Sequence, residues 1–361
     1  MRVCSTRLFR IGGLSSLVTA IVLLPALVFG EEPPSADSIM SSPAITVLPF
    51  ANYTGDGAAA EVFTPLIIQR LQHLGISVTD ADATRQVLRQ HRIRAVGAID
   101  RTGAQALARD LGIKYLLTGS IDLYVTGDVP ETGLSVRLVD AASLRVVWAR
   151  SDGAAATDFT GPFGLGRVTT MADLADRVVG EAFEHLNEAL RSGFDSGGAD
   201  RERVAIVAFD DLLPATQGGK MVAAHVLSHL VTRGFHVSEP GAMGELFLTH
   251  QRIPRGGIDH ELLAVLKDSL GITTVVTGLV DPFRLASPGA EMSFPEIGIS
   301  ARIIDAASGQ VQNVAEVERN GDREVVFGIG TVRSTAKLIR SATASLLDKM
   351  QLKENHGVAL R

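Results

Sequence analysis

At 361 residues, with 46% hydrophobic and 20% charged positions, the chain is long enough for about two average domains and apolar enough to bury a core in each. The formal charge is −6, and beyond position 30 the balance is 31 basic against 40 acidic residues, or −9. That excludes a protein built to neutralise nucleic-acid phosphates, and the one cysteine, Cys4, allows no intramolecular disulfide.

Arg2, Arg7 and Arg10 precede an uncharged apolar run from Ile11 to Phe29. Val28 and Gly30 then stand at the −3 and −1 positions of a cleavage site before Glu31, the pattern of a secretory signal over residues 1–30. The expected location is the periplasm. If the signal stayed uncleaved, residues 11–29 would come near the ~20 residues of a membrane span and anchor the chain in the inner membrane. Residues 31–43 read as a disordered tether.

A first module is expected over 44–190. It opens with a buried strand at Ile45–Phe50 and a turn at Asn52–Gly57. A helix follows from Ala60 to Leu74, its regular part starting at Thr64 because Pro65 suits a first turn. Phe63, Ile67, Leu71 and Leu74 form its apolar stripe, and Gly75 ends it. The pattern then gives a strand at Ile76–Val78, a helix capped by Asp80 or Asp82 and running to Gln90, and a helix at Thr102–Leu111. Strands Tyr115–Tyr124, Leu134–Asp140 and Val146–Ala149 make a meander. A glycine-rich connection at Gly161–Gly166 leads into a closing helix striped by Met171, Leu174, Ala175, Val178, Ala182 and Leu186. Residues 191–203 form a polar linker, 204–350 a second module and 351–361 a tail.

The second module replays the first. A displacement of 159 carries Gly75 to Gly234, Asp100 to Asp259, Leu111-Gly112-Ile113 to Leu270-Gly271-Ile272, and Asp122 to Asp281. At Arg137-Leu138-Val139-Asp140-Ala141-Ala142-Ser143, which returns as Arg302-Ile303-Ile304-Asp305-Ala306-Ala307-Ser308, the displacement is 165. Six residues were therefore added between Gly278 and Ser300. Units of this length are whole domains rather than solenoid repeats. The expected architecture is α/β: two tandem modules, each a mixed sheet with a parallel part and an antiparallel meander, packed with helices.

Leu48-Pro49-Phe50-Ala51-Asn52-Tyr53-Thr54-Gly55-Asp56 resembles the opening strand and turn of TolB amino-terminal-like domains. Leu111 to Ser120 is similar to the middle strand of that superfamily, and Arg137 to Trp148 to its closing hairpin. The glycine-rich turn before the last helix looks more like the curli-transport lipoprotein (CsgG) family, a group that also resembles peptidoglycan synthase activators. The resemblance spans 45–190, and 204–350 by duplication. It implies a bacterial envelope protein that binds other proteins. A lipobox cysteine is missing, and the loops Val125–Gly133, Ser151–Thr160 and Pro282–Gly298 lack the alternation of membrane-spanning strands.

For chemistry, His225 and His229 are four apart on a helix and could reach one metal, but Val226 replaces the glutamate of a metalloprotease motif. The matching Leu66 and Arg70 point instead to a core-margin stripe. Gln217-Gly218-Gly219-Lys220 lacks the spacing and hydroxyl of a phosphate loop, and Phe163-Gly164-Leu165-Gly166, repeated at Phe327–Gly330, reads as a turn that glycine permits. Asp122, Asp281, Asp140 and Asp305 are duplicated carboxylates, the last two suited to heading hairpin turns. Arg137 and Arg302 should lie opposite the apolar strand face, solvated or paired.

With no catalytic triad and no nucleotide fingerprint, the expectation is a non-catalytic envelope interaction component without cofactors, bound to other envelope proteins and open to self-association. Candidate contact loops are Asn52, Tyr53, Gly55 and Asp56, and the prolines Pro282, Pro288 and Pro295. The alternatives are a periplasmic receptor with a small ligand between the modules, or a membrane-anchored regulator.

Overall fold

The computed structural model describes residues 44–159, 168–194, 202–207, 209–212, 217–252, 257–286, 294–322 and 332–351. The expected cleavage site at Gly30 and Glu31, Pro288, and both Phe-Gly-x-Gly turns lie outside these residues.

In the first half, β1 (Ile45–Val47) and β2 (Ala51–Asn52) precede three helices: α1 (Ala58–His73), α2 (Ala81–Gln90) and α3 (Arg101–Leu111). The meander β3 (Tyr115–Val125), β4 (Glu131–Asp140) and β5 (Arg145–Ala155) follows, then α4 (Met171–Ala182) and the short α5 (Leu186–Ser192). The second half runs β6 (Arg203–Ile206), β7 (Asp210–Asp211), α6 (Gly218–Thr232), β8 (His236–Ser238), α7 (Pro240–Thr249) and α8 (His260–Leu270). It ends with β9 (Thr274–Arg284), β10 (Glu296–Asp305), β11 (Val311–Asn320) and α9 (Thr335–Lys349).

Local chemistry sets the helix ends. Asp80 accepts the Ala83 amide at 2.9 Å, Asp100 that of Gly103 at 2.6 Å and Asp259 that of Leu262 at 2.8 Å, each filling an orphan donor of a first turn. Gly112 and Gly271 close α3 and α8 in the left-handed region, at φ 64° and 65°. The helix α1 departs from expectation: it starts at Ala58 and holds Pro65 in its interior. Phe63, Ile67 and Leu71 are buried on the sheet, and that packing outweighs one missing hydrogen bond.

The eleven strands among the described residues form one mixed sheet in the order β1-β3-β4-β5-β8-β6-β9-β10-β11, with β2 beside β3 and β7 beside β9. The registers of the halves match. Ile45 pairs with Tyr115 and Val204 with Thr274; Ala51 pairs with Ser120 and Asp210 with Leu279, all displaced by 159. The halves join where β5 meets β8 antiparallel, Arg145 opposite Ser238 and Val146 opposite Val237. Arg203, placed at the end of the expected linker, already pairs with His236.

Three sequence expectations change. Residues 76–78 form only a bridge, Val78 to Ile45, whereas the matching 235–237 run into the strand β8. The reason is the second neighbour: β8 is bonded on both sides, by β5 and β6. The meander strands run past their apolar cores, so that Ser151–Ala155 is part of β5. Pro282 lies in β9 and Pro295 immediately before β10, so the loop expected over Pro282–Gly298 is shorter.

Reversing strand direction across the β5–β8 junction also turns the second half over. On one face of the first meander Leu117, Leu134, Val136 and Leu138 pack on α1 and α4. On the other face Leu123, Val146 and Ala149 share a core with Met221, Val222 and Val226 of α6 and Leu338 and Ile339 of α9. A smaller cluster sets Ala205, Val275 and Ile304 against α7 and α8.

Candidate functional site at the junction of the halves

The junction is held by buried charge. Arg137 of β4 donates from Nε to Glu239 Oε2 and from Nη2 to Oε1, both at 2.7 Å, and from Nη2 to the Gly97 carbonyl at 2.6 Å. Glu239, fully buried at the start of α7, also accepts the Ile99 amide at 3.3 Å. Beside it Glu245 accepts the Arg101 amide and the Thr102 hydroxyl, both at 3.0 Å. Gly241 completes the contact, because a Cβ there would stand 2.2 Å from the Ile99 carbonyl oxygen.

Next to Arg137 lies Asp122, buried and accepting from the hydroxyls of Ser120 and Ser135 at 2.5 Å. Burial pushes its carboxyl up to about 6, against those hydroxyls and Arg137. Its duplicate has no such setting: Leu279 stands at the position of Ser120, so the carboxylates do not make two equal sites. Tyr53 turns toward this cluster, and burial with Asp122 nearby pushes its phenol up to about 12. The rest of its loop folds on itself. Asn52 Oδ1 accepts from Thr54, its Nδ2 donates to the Asp56 carbonyl at 2.6 Å, Asp56 accepts the Ala58 amide at 2.9 Å, and Gly55 supplies φ 76°. These side chains shape the entry to α1.

The helices α6 and α9 cover the same face. Glu131 of β4 accepts from Thr335 N, Thr335 Oγ1 and Ala336 N at the start of α9. Burial nevertheless pushes its carboxyl up to about 7. Asp152 accepts from Arg340 at 3.1 Å, and Ser151 donates to the Ala224 carbonyl at 3.4 Å. His225 is buried here, lowered to about 3 by burial, with His229 and Arg340 adding to the shift. His229 lies 3.2 Å from the Arg340 carbonyl through Nε2. Arg340 opposes any cation at this pair, and among the described residues no group of three or more ligand side chains gathers. At the other end of α6, the Gly219 amide is taken by Asp211 at 2.6 Å, so the helix entrance that resembled a phosphate loop is served by the chain's own carboxylate. Asp140 and Asp305 head hairpin turns as expected, each accepting from the serine three residues on. Gly309 has φ 69°, but Leu144 adopts φ 56° at the same turn position.

Among the described residues, two open surfaces stand out. A cleft of about 510 Å³ lies at the junction, where β5, β8 and β6 end. The other is the outer face of the second meander. Val146, Ala149, Ser151 and Gly153 are buried under α6 and α9, with α9 so close that a Cβ on Gly153 would meet Ala336 at 2.4 Å. The residues matching them in β11 are Val311, Val314, Glu316 and Glu318, all exposed. Val146 and Ala149 are 2% and 4% accessible, against 50% and 65% for Val311 and Val314.

No protein-family model and no curated protein matches this chain. Solved structures resemble parts of it. A PelC dodecamer from Paraburkholderia phytofirmans aligns over 43% of this chain and 92% of its own at 18% identity, TM-score 0.30. Lipoprotein GNA1162 from Neisseria meningitidis aligns over 31% and 79% at 20% identity, TM-score 0.27. The LpoB C-terminal domain from Escherichia coli aligns over 33% and 87% at 20% identity, TM-score 0.26. Each covers less than half of this chain, and the likeness is one of backbone alone.

Sequence reasoning missed Glu239 and the arginines of the cleft. A signal was present in the repeat itself: Glu239 and Gly241 stand where the first half has Asp80 and Asp82.

Proposed function

We propose that the chain is an exported, non-catalytic interaction or assembly component of the bacterial cell envelope. It engages a partner protein through the outer face of β11, in the periplasm or, with residues 11–29 retained, at the inner membrane. The observation that carries the reading is the open second meander. In the first half the matching face seats α6, and the apolar residues Val311 and Val314 offer the second half's counterpart of that seat. The partner element is an amphipathic helix whose apolar side meets Val311 and Val314 and whose basic side chains meet Glu316 and Glu318. Strand addition is the weaker route, because two groups along β11 are already used: the Val314 amide by Asn313 Oδ1 and the Glu316 carbonyl by Lys349. No helix among the described residues is long and apolar enough to cross a membrane.

The test is capture from envelope fractions with the wild-type chain, Val314→Asp and Glu61→Gln as an exposed control. A partner retained by the wild type and the control but lost by Val314→Asp is expected. Equal recovery by all three would sink the proposal, as would no partner at all together with a turnover product in a metabolite screen. At Val314 the substitution should change stability by no more than about 0.5 kcal/mol, so loss of capture would not reflect unfolding.

A further inference from the structure

The cleft at the junction is positive in an acidic protein. Arg145 of β5 stands opposite Ser238, and Arg203 of β6 opposite His236, so three neighbouring strands bring Arg145, His236 and Arg203 into one row. Arg101, the first residue of α3, lines the same space. Arg145 Nη1 lies 3.0 Å from His236 Nε2, and Arg203 Nη1 donates to the Leu270 carbonyl at 3.2 Å. A guanidinium only donates, so His236 Nε2 accepts in that pair, and neither the imidazole nor the Leu270 carbonyl is an anion. Asp140 is the acidic residue lining the cleft, and its Oδ1 is engaged by the Ser143 amide and hydroxyl at 2.8 and 2.7 Å. Three guanidinium charges against one carboxylate leave a local surplus of positive charge.

Folding does not ask for this set. At the matching positions of the other half stand Ala44 for Arg203, Ser77 for His236, Gln310 for Arg145 and His260 for Arg101. The strands β1 and β11 and the helix α8 form there without the arginines, although the stretch matching β8 makes only a bridge. A cleft of about 510 Å³ falls within the range of small-ligand sites, and low-dielectric walls focus the field of charges that line it.

We infer that the cleft lined by Arg101, Arg145, Arg203 and His236 binds a small organic dianion, a phosphomonoester or a di- or tricarboxylate. Arg145 and Arg203 present planar forks suited to two oxygens of one anionic group, and Arg101 adds a third guanidinium from α3. The site is separate from the outer face of β11, so the two proposals stand or fall independently.

The experiment is titration calorimetry on the full chain with glucose 6-phosphate, citrate and inorganic phosphate, and with glucose as the neutral probe. Thermal unfolding and far-UV circular dichroism are recorded alongside. The expected result is binding of glucose 6-phosphate or citrate with no response to glucose, weakened about tenfold in each of Arg145→Gln and Arg203→Gln, and unchanged in Arg177→Gln on α4. Arg101→Gln, outside the sheet, gives a variant that keeps its fold if either strand substitution does not. If inorganic phosphate alone binds, or if glucose binds as well as its phosphate, the inference of an organic dianion is overturned. Affinity unchanged in Arg101→Gln and in both strand variants, or no heat with any probe at millimolar concentration, also overturns it.

Discussion

The start of α2 and the start of α7 occupy matching places in the two halves, but the start of α2 bonds within its own helix and that of α7 bonds to the other half. At α2, Asp80 turns back to cap its own helix and Asp82 pairs with Arg85 in solvent. At α7, Glu239 is one methylene longer and reaches across to Arg137, while Gly241 lets the helix backbone come against Ile99. The helices α1 and α6 differ in the same sense. The first buries a single stripe of Ala59, Phe63, Ile67 and Leu71; the second is buried nearly all round, including His225 and Ser228. Two halves with matching registers thus differ at their contact surfaces. The side of each half that faces the other carries longer reach, missing side chains and buried charge, and the sides that face water carry aspartate and glutamate.

The sharpest way to break this comparison is at position 239. Glu239→Ala should cost about 3–5 kcal/mol in urea unfolding, because Arg137 is left buried without its anion, whereas Asp80→Ala should cost about 1 kcal/mol, the worth of a helix cap. Equal costs would mean that the junction pair is not what distinguishes the halves. Replacing both Arg137 and Glu239 with apolar residues should recover part of the loss.

A second test is pH. The Asp122 carboxyl is raised to about 6 in the folded chain, so its protonated form is favoured by folding. At this carboxyl the folded state binds more protons than the unfolded state between about pH 4 and 6, so its contribution to stability falls as pH rises through that window, opposite in sign to that of the buried His225. The contribution is of order 3 kcal/mol, and Asp122→Asn should flatten it. Parallel profiles for the wild type and Asp122→Asn over this range would exclude the buried, hydroxyl-held carboxyl described above.

Smaller is the effect at position 241. Gly241→Ala should cost about 1–3 kcal/mol by thermal unfolding as α7 is pushed from Ile99, against no more than about 0.5 kcal/mol for Asp82→Ala. A neutral Gly241→Ala would show that the backbone contact relaxes freely and contributes little to the joining of the halves.

Much of the fold was legible because it rests on local chemistry. Asp80 announces a helix start, Gly75 a helix end, and Asp140 and Asp305 hairpin turns, each acting within a few residues. Alternation in Leu134, Val136 and Leu138 located one buried face of β4. The other face was not legible, since Ser135 and Arg137 are polar and are buried only because α6, α9 and Glu239 arrive from residues far along the chain. The candidate loop at Asn52–Asp56 was located correctly as a turn, but its polar side chains are spent within it. The cleft was illegible for the same reason as Glu239: Arg101, Arg145 and Arg203 are isolated in sequence and become neighbours only across three strand ends.

By itself the sequence determined an α/β fold and the order of elements in each half, because strand alternation, helix caps and turn residues act over a few positions and repeat at a fixed displacement. Only the tertiary structure decided that both halves share one sheet, turned over at β5 and β8. That outcome depends on an ion pair, a glycine contact and two helices buried on a neighbouring meander, all made between residues separated by the length of a domain.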